Sequence, residues 1–197
     1  MAKALKIVGI AVLLLSFGFK YNIASRQEEP CISKTEKQLY ELIMKYRKQK
    51  GLPRIPLSNA LTNVAQVHVR DLSGQYTFNS ASCNLHSWST KGNWTACCYD
   101  EQHSKAECMW NKPREISGFN ADGFEIAYGS GNEKFVIDAE KALNTWKESK
   151  GHNMVIINKG TWKDFGWKSI GVGVYKNYAC VWFATVPDKK TIVNVCE

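Results

Sequence analysis

One stretch near the end of the chain decides the fold: Ile170-Gly-Val-Gly-Val-Tyr175, then Lys176-Asn177, then Tyr178-Ala-Cys-Val-Trp-Phe-Ala-Thr-Val186. Two runs rich in β-branched and aromatic residues flank a two-residue polar break. This pattern is typical of two antiparallel strands joined by a tight turn. The sequence therefore predicts a β-hairpin in the core sheet.

Helical patterns precede this hairpin. Ser33-Lys-Thr-Glu36 forms a capping box, and apolar residues at helical spacing follow it, which predicts a first helix over 34–49. A second helix is expected over about 59–73, and an apolar strand over 124–128. A third helix is indicated by Ala139, Ala142, Leu143 and Trp146. Helices before, between and beside antiparallel strands predict an α+β layered sandwich.

The segment between 75 and 120 shows no such periodicity. So long a loop in a compact domain is usually functional or held by disulfides. It contains Trp88, Trp94 and Trp110, whose side chains would suit either a recognition surface or local packing around disulfides. Asn93-Trp-Thr95 also fits the acceptor pattern for N-glycosylation.

The start of the chain has the layout of a secretory signal peptide. Lys3 and Lys6 precede an apolar run from Ile7 to Phe19, which predicts cleavage near Ala24. We expect a signal peptide at 1–24, an N-terminal segment at 25–33 and a single domain over 34–197. The apolar run is short against the roughly 20 residues that span a membrane, so no transmembrane segment is expected after processing. The mature protein is then secreted, or periplasmic in a Gram-negative bacterium.

The charge pattern argues against a nucleic-acid partner. The chain has 26 Lys and Arg residues against 18 Asp and Glu residues, a net charge of +8. Processing would remove Lys3, Lys6 and Lys20 and lower this net charge to +5. The basic residues are scattered singly or in pairs, which indicates a solvated surface and not a nucleic-acid stripe.

The seven cysteines of an exported chain predict disulfides, since an oxidising compartment lets them persist. We expect Cys180 to pair with Cys196 at the end of the hairpin, with one or two further bridges in the long loop. The loop cysteines are Cys83, Cys97, Cys98 and Cys108. The odd count leaves at least one thiol free or paired with another chain. An alternative is a zinc knot that uses Cys97, Cys98, His103 and Cys108.

Two histidines are the strongest functional candidates. His86 lies in Cys83-Asn-Leu-His-Ser-Trp88, and His152 follows Trp146-Lys-Glu-Ser-Lys-Gly. Two imidazoles in one cleft would suit a divalent metal such as Zn²⁺. His68 faces inward by helical spacing, and we expect it to be a buried residue hydrogen-bonded to backbone, not a ligand.

With these pieces the chain resembles the CAP superfamily, the SCP-like extracellular domains, and most closely its compact bacterial branch. The resemblance covers about 34–187. The matching pieces are Gly51–Leu61, Leu85–Ser87, Gly123–Ala127, Trp146–His152 and Ile170–Gly173. The resemblance implies a three-layer α-β-α sandwich with a central, mainly antiparallel sheet, and an open cleft with two histidines and, in many members, two acidic residues.

The resemblance also implies site residues. His86 and His152 match the family histidines. Glu125 approximates the family's glutamate, one position late, and is expected to orient a cleft imidazole. The second acidic position holds Ser149, with Glu148 beside it. The expected cleft set is therefore His86, Glu125, Glu148, Ser149 and His152.

Three functions follow. The first is a secreted domain whose cleft binds a small apolar ligand such as a lipid, an envelope component or a partner protein, with a divalent metal on the histidines as an option. The second is a metal-dependent hydrolase that uses His86 and His152 with Glu125 as general base. The third is a structural or matrix protein that cross-links through its odd cysteine.

Overall fold

A computed structural model of the chain describes residues 31–74, 82–191 and 193–196, so the predicted signal peptide lies outside the described residues. The helices are α1 Lys34–Gln49, α2 Asn59–Gly74, α3 Ala106–Trp110, α4 Lys112–Ser117, α5 Ala139–Glu148 and α6 Lys150–Ile156. The strands are β1 Cys31–Ile32, β2 Phe124–Gly129, β3 Ser169–Tyr175, β4 Tyr178–Ala184 and β5 Asn194–Val195. Among the described residues, no helix combines the length and the apolar character needed to cross a membrane.

The predicted hairpin forms the centre of the sheet. Strands β3 and β4 pair antiparallel, with Tyr175 opposite Tyr178 and Lys176-Asn177 in the turn between them. Strand β2 pairs antiparallel with the other side of β4, which gives the order β2-β4-β3. Because β4 is central, β2 lies at one edge of this sheet.

The sheet is covered on both faces. Since side chains alternate along a strand, Cys180 and Trp182 of β4 pack in one core with α2, while Val181 and Phe183 pack in a second core with α1 and α5. Both cores consist of fully or nearly fully buried side chains. The three-layer α-β-α sandwich expected from the sequence is confirmed.

The predicted helices form where their signals lie. The capping box is present: the Glu36 backbone N–H donates to Ser33 Oγ at 3.2 Å, and the Ser33 N–H donates to Glu36 Oε2 at 2.6 Å. The long loop differs from the expectation in containing α3 and α4. These helices have five and six residues, too few for a helical period to show in the sequence.

Helix α2 lies directly against β3 because β3 presents glycines to it. A Cβ atom at Gly171 would lie 2.1 Å from the carbonyl carbon of Leu61, and one at Gly173 would lie 2.4 Å from that of Ala65. Only residues without a side chain permit this approach of helix to strand.

The disulfides correct one prediction. Cys196 pairs with Cys31 and not with Cys180, which has no disulfide partner. Cys180 is fully buried in the middle of β4 under α2, whereas Cys196 follows β5, which pairs in parallel with β1. The two bridges expected in the long loop are confirmed as Cys83–Cys98 and Cys97–Cys108. They exclude the alternative zinc knot, because all three of its cysteines are oxidised.

Candidate functional site

A cleft opens beside the first residues of the edge strand β2. Its volume is about 540 Å³, and its lining comes from the long loop, α3, β2, α6 and the turn around Trp162. Its polar lining includes His86, Tyr99, Glu125 and His152. Its apolar lining, here called the aromatic wall, includes Met109, Trp110, Phe124 and Trp162. The cleft is therefore amphiphilic, with aromatic rings, imidazoles and a carboxylate in one lining.

The aromatic wall continues into the protein as a cluster of rings. The Phe124 ring lies 5.1 Å from the Trp162 ring and 5.7 Å from the Trp110 ring, measured between centroids. Phe165 and Trp167 pack behind Phe124 at 5.3 and 5.7 Å. Because the Phe124 and Trp162 rings are each held by several others, this part of the wall is a preformed apolar surface.

His86 is held in the cleft by its own loop and by β2. Its backbone N–H donates to Asn84 Oδ1 at 3.0 Å, and the loop is fixed nearby by the Cys83–Cys98 disulfide. Its Nδ1 atom lies 2.8 Å from Glu125 Oε2. The structure thus places Glu125 against the imidazole that the sequence singled out, even though Glu125 is one position late in the family pattern.

Glu125 also binds His68, a contact that the sequence did not indicate. His68 Nδ1 lies 2.6 Å from Glu125 Oε1, and His68 Nε2 lies 3.0 Å from the Ser87 carbonyl oxygen. The His68 ring stacks on Trp88 at 4.1 Å. His68 is buried and bonded to backbone as expected, but its second partner is the cleft carboxylate. The signal that could have indicated this contact is the alternation of side chains along β2, which places Glu125 on the face of the sheet that packs against α2.

The Glu125 carboxyl is ionised despite its burial. Burial raises its pKa, but the charges and hydrogen bonds of His68 and His86 outweigh this effect and lower the pKa to about 2. Cys180 lies on the same side of the sheet. Its burial, and then the Glu125 charge, raise the pKa of the Cys180 thiol well above its usual range. Cys180 is therefore a neutral, enclosed thiol, which does not suit cross-linking to another chain.

His152 enters the cleft from the first turn of α6. Its ring lies 6.4 Å from the His86 ring between centroids, and its buried Nδ1 atom has no hydrogen-bond partner among the described residues. Burial, and then the proximity of His86, lower the pKa of His152 to about 4, with Glu125 opposing the shift. His152 is thus neutral at neutral pH and has a free polar atom.

Of the remaining predicted residues, one lies in the cleft and two do not. Ser149 lines the cleft. Glu148 does not: it ends α5 with an exposed side chain, because the helical turn directs it to solvent. Trp88 is buried on His68, so it cannot serve as an exposed recognition residue.

Tyr99 and His103 are cleft residues that sequence reasoning missed. The Tyr99 hydroxyl lies 2.8 Å from His103 Nδ1, and the Tyr99 ring packs edge-on against His86 at 5.2 Å. Both residues belong to the disulfide-held loop. No periodicity there could indicate which side chains face the cleft.

The distances between potential ligand atoms indicate whether the cleft is arranged to hold a catalytic metal ion. In the described part of the chain, one group of three potential ligands has all its atoms within 4.8 Å of one another: His68, Glu125 and Cys180. His86, Glu125 and His152 do not meet this criterion together. Since catalytic zinc usually has three protein ligands, the cleft does not present a preformed catalytic zinc site.

The comparisons with known proteins agree with the fold described above. Residues 40–186 match the model of the CAP family, the cysteine-rich secretory protein family. Among curated proteins, no relative matches this sequence. An extracellular protein containing an SCP domain from Bacillus anthracis has a similar structure, with a TM-score of 0.52 and 20% identity. The match covers 76% of this chain and 40% of the Bacillus protein.

Two further solved structures are similar over a comparable part of the chain. A cysteine-rich secretory protein from Staphylococcus aureus has a TM-score of 0.46 and 15% identity, covering 76% of this chain and 38% of that protein. An outer surface protein from Borrelia burgdorferi has a TM-score of 0.48 and 18% identity, covering 75% of this chain and 89% of that protein. The matched part of this chain thus spans about two fifths of the length of the Bacillus and Staphylococcus proteins.

Proposed function

Because the chain belongs to the cysteine-rich secretory protein (CAP) family, we propose that its cleft binds a small ligand with an apolar body and one hydrogen-bonding group. The observation that carries this proposal is the buried Nδ1 atom of His152, for which the described part of the chain supplies no hydrogen-bond partner. Buried polar atoms in proteins nearly always have a partner, so this atom is suited to a group on a ligand.

The size and lining of the cleft support a small molecule. Its volume of about 540 Å³ lies within the range of roughly 300–1,000 Å³ that ligand pockets occupy. The aromatic wall would bury the apolar body of the ligand, and a neutral His152 would bond a hydroxyl or carbonyl group. A lipid or another apolar component of the cell envelope has this chemistry.

The setting of this function is outside the cytoplasm. Three disulfides fit an oxidising compartment, where such bonds persist. The predicted signal peptide would deliver the chain there. The mild positive charge of the mature protein would favour an anionic envelope surface.

A fluorescent apolar probe tests the proposal. We expect 1-aminoanthracene, which has one amino group on an apolar ring system, to brighten on binding to the mature protein. Trp162→Ala should weaken binding by roughly tenfold, because it removes part of the apolar wall. His152→Leu should weaken it by about fivefold through loss of the polar contact.

Tyr175→Ala is the matched control for this titration, since Tyr175 is a half-exposed aromatic residue at the hairpin tip, away from the cleft. Its affinity should equal that of the unchanged protein. Absence of saturable binding, or equal losses in all three variants, would contradict the proposed function.

Zinc binding through His86 and His152 is a second candidate. The same His152 observation favours it, because a neutral imidazole with a free nitrogen is a common metal ligand. With two protein ligands, water would complete the coordination. The hydrolase hypothesis gains no support from this arrangement, since it lacks a third protein ligand for a catalytic zinc.

Calorimetric titration of Zn²⁺ into metal-stripped protein at neutral pH distinguishes this candidate. We expect saturable binding that both His86→Ala and His152→Ala abolish, because the two rings would share one ion. His103→Ala is the control, and it should retain binding, since His103 pairs with Tyr99 at the cleft margin. Binding that survives either cleft substitution would rule out a shared site.

A further inference from the structure

His68 lies behind the cleft and is connected to His86 by two routes. Through its Nδ1 atom it contacts Glu125, whose other oxygen contacts the His86 ring. Through its Nε2 atom it contacts the carbonyl of Ser87, the residue after His86. The Trp88 ring covers one face of His68 with an angle of 6° between the planes. His68 is fully buried and does not line the cleft itself.

The hydrogen-bond partners determine where the protons lie. A carbonyl oxygen only accepts, so His68 Nε2 must carry a proton and donate it to Ser87. The 2.6 Å contact between His68 Nδ1 and Glu125 Oε1 contains a second proton. Glu125 Oε2 is then free to accept, so the proton of its 2.8 Å contact with His86 lies on His86 Nδ1.

We propose that His68 is a positioning residue for the cleft: its contacts with Glu125 and with the Ser87 carbonyl hold the Glu125 carboxyl in place, and Glu125 fixes the proton of His86 on Nδ1. The Nε2 atom of His86 then keeps its lone pair and is the acceptor or ligand nitrogen of that ring. This consequence for ligand recognition rests on the proposed function, whereas the arrangement of protons does not.

The groups that face Glu125 are consistent with this assignment. His68 approaches from α2 and His86 from the long loop. Cys180 approaches from β4 as a neutral thiol, and Tyr99 lies near enough for the Glu125 charge to raise the pKa of its hydroxyl further after burial. The two imidazoles are the cationic or donor groups that balance the buried carboxylate. Partners of this kind commonly fix the tautomer of a functional histidine.

Nitrogen NMR of the mature protein tests the proton arrangement without any ligand. The chain has only four histidines, so their ring signals can be assigned by substitution. We expect Nε2 of His68 to show the protonated type of shift. We expect His86 to show a protonated Nδ1 and an unprotonated Nε2. A His68 ring without a proton on Nε2, or a His86 proton on Nε2, would overturn the proposal.

A substitution then tests whether His68 controls His86. His68→Asn keeps a donor near the position of Nδ1 but loses the Nε2 contact with Ser87, so Glu125 would be held less firmly. The His86 nitrogen signals should then move towards a mixture of tautomers. Tyr175→Ala, at the hairpin tip, is the control and should leave the His86 signals unchanged. Unchanged His86 signals in His68→Asn would overturn the positioning role. If that variant does not fold, the spectrum of the unchanged protein decides.

The outcomes separate this inference from the proposed function. If the unchanged protein binds neither the probe nor zinc but shows the expected tautomers, the proposed function alone is contradicted. Saturable probe binding with His86 protonated on Nε2 would contradict the inference alone.

Discussion

Gly171→Ala is expected to destabilise the domain by about 3 kcal/mol or more, at or above the upper end of the usual cost of overpacking a core. The added Cβ would lie 2.1 Å from the Leu61 carbonyl carbon and 2.4 Å from the Thr62 nitrogen. Both are backbone atoms of α2, so no side chain can rotate away to make room. The helix would have to move off β3, which also disturbs His68 further along α2.

Thermal unfolding followed by circular dichroism measures this effect. A loss of 3 kcal/mol corresponds to a decrease in Tm of roughly 6–12 °C for a domain of this size. Gly151→Ala is the matched control, because Gly151 lies in helix α6 and a Cβ there would meet nothing within 4 Å. That variant should be unchanged or more stable by under about 1 kcal/mol. Equal Tm values for the two variants would show that α2 does not pack on β3 as described.

His68→Leu is expected to destabilise the protein by about 3–5 kcal/mol, the usual cost of removing one partner of a buried ion pair. Leucine has a suitable apolar character for the interior, so the loss would come mainly from Glu125. That carboxylate is fully buried, and it would lose one of its two imidazole partners and keep His86.

A double-mutant cycle in urea isolates this contribution. In the Glu125→Gln background, His68→Leu should cost less by at least about 1 kcal/mol, because no buried charge remains to be left unpaired. Arg54→Leu serves as the control, since Arg54 pairs with Glu41 while their side chains are 56% and 49% exposed. Its cost should be under about 1 kcal/mol. Additive effects of His68→Leu and Glu125→Gln would refute the coupling.

Much of the fold could be predicted because its signals are local. The hairpin around Lys176-Asn177 and the capping box at Ser33 depend on neighbouring residues, and the structure contains both. The strand parity of β4 places alternate residues in the two cores. The family resemblance indicated that these elements form three layers, and the structure confirms this arrangement.

The disulfide pattern could not be predicted in the same way. Cys180 and Cys196 are close in sequence, but β4 buries Cys180 beneath α2 while the chain continues to β5. The true partner, Cys31, is 165 residues from Cys196. It is brought there by a two-residue parallel pairing that leaves no periodic signal.

The site could be predicted only in part. The sequence nominated His86, Glu125, Ser149 and His152, and the structure places all four at one cleft. The role of His68 depends on which face of β2 meets α2, and one residue of shift would reverse that face. Tyr99 and His103 depend on a loop whose path is set by two disulfides.

The Cys31–Cys196 bridge also determines how the domain responds to mechanical tension. A pull between the chain before Cys31 and the chain after Cys196 passes through one covalent bond and the adjoining β1–β5 pairing. The sheet, the helices and the cleft lie outside that load path. A molecule tethered at one end and pulled at the other would therefore keep the shape of its cleft for as long as that bond stays oxidised.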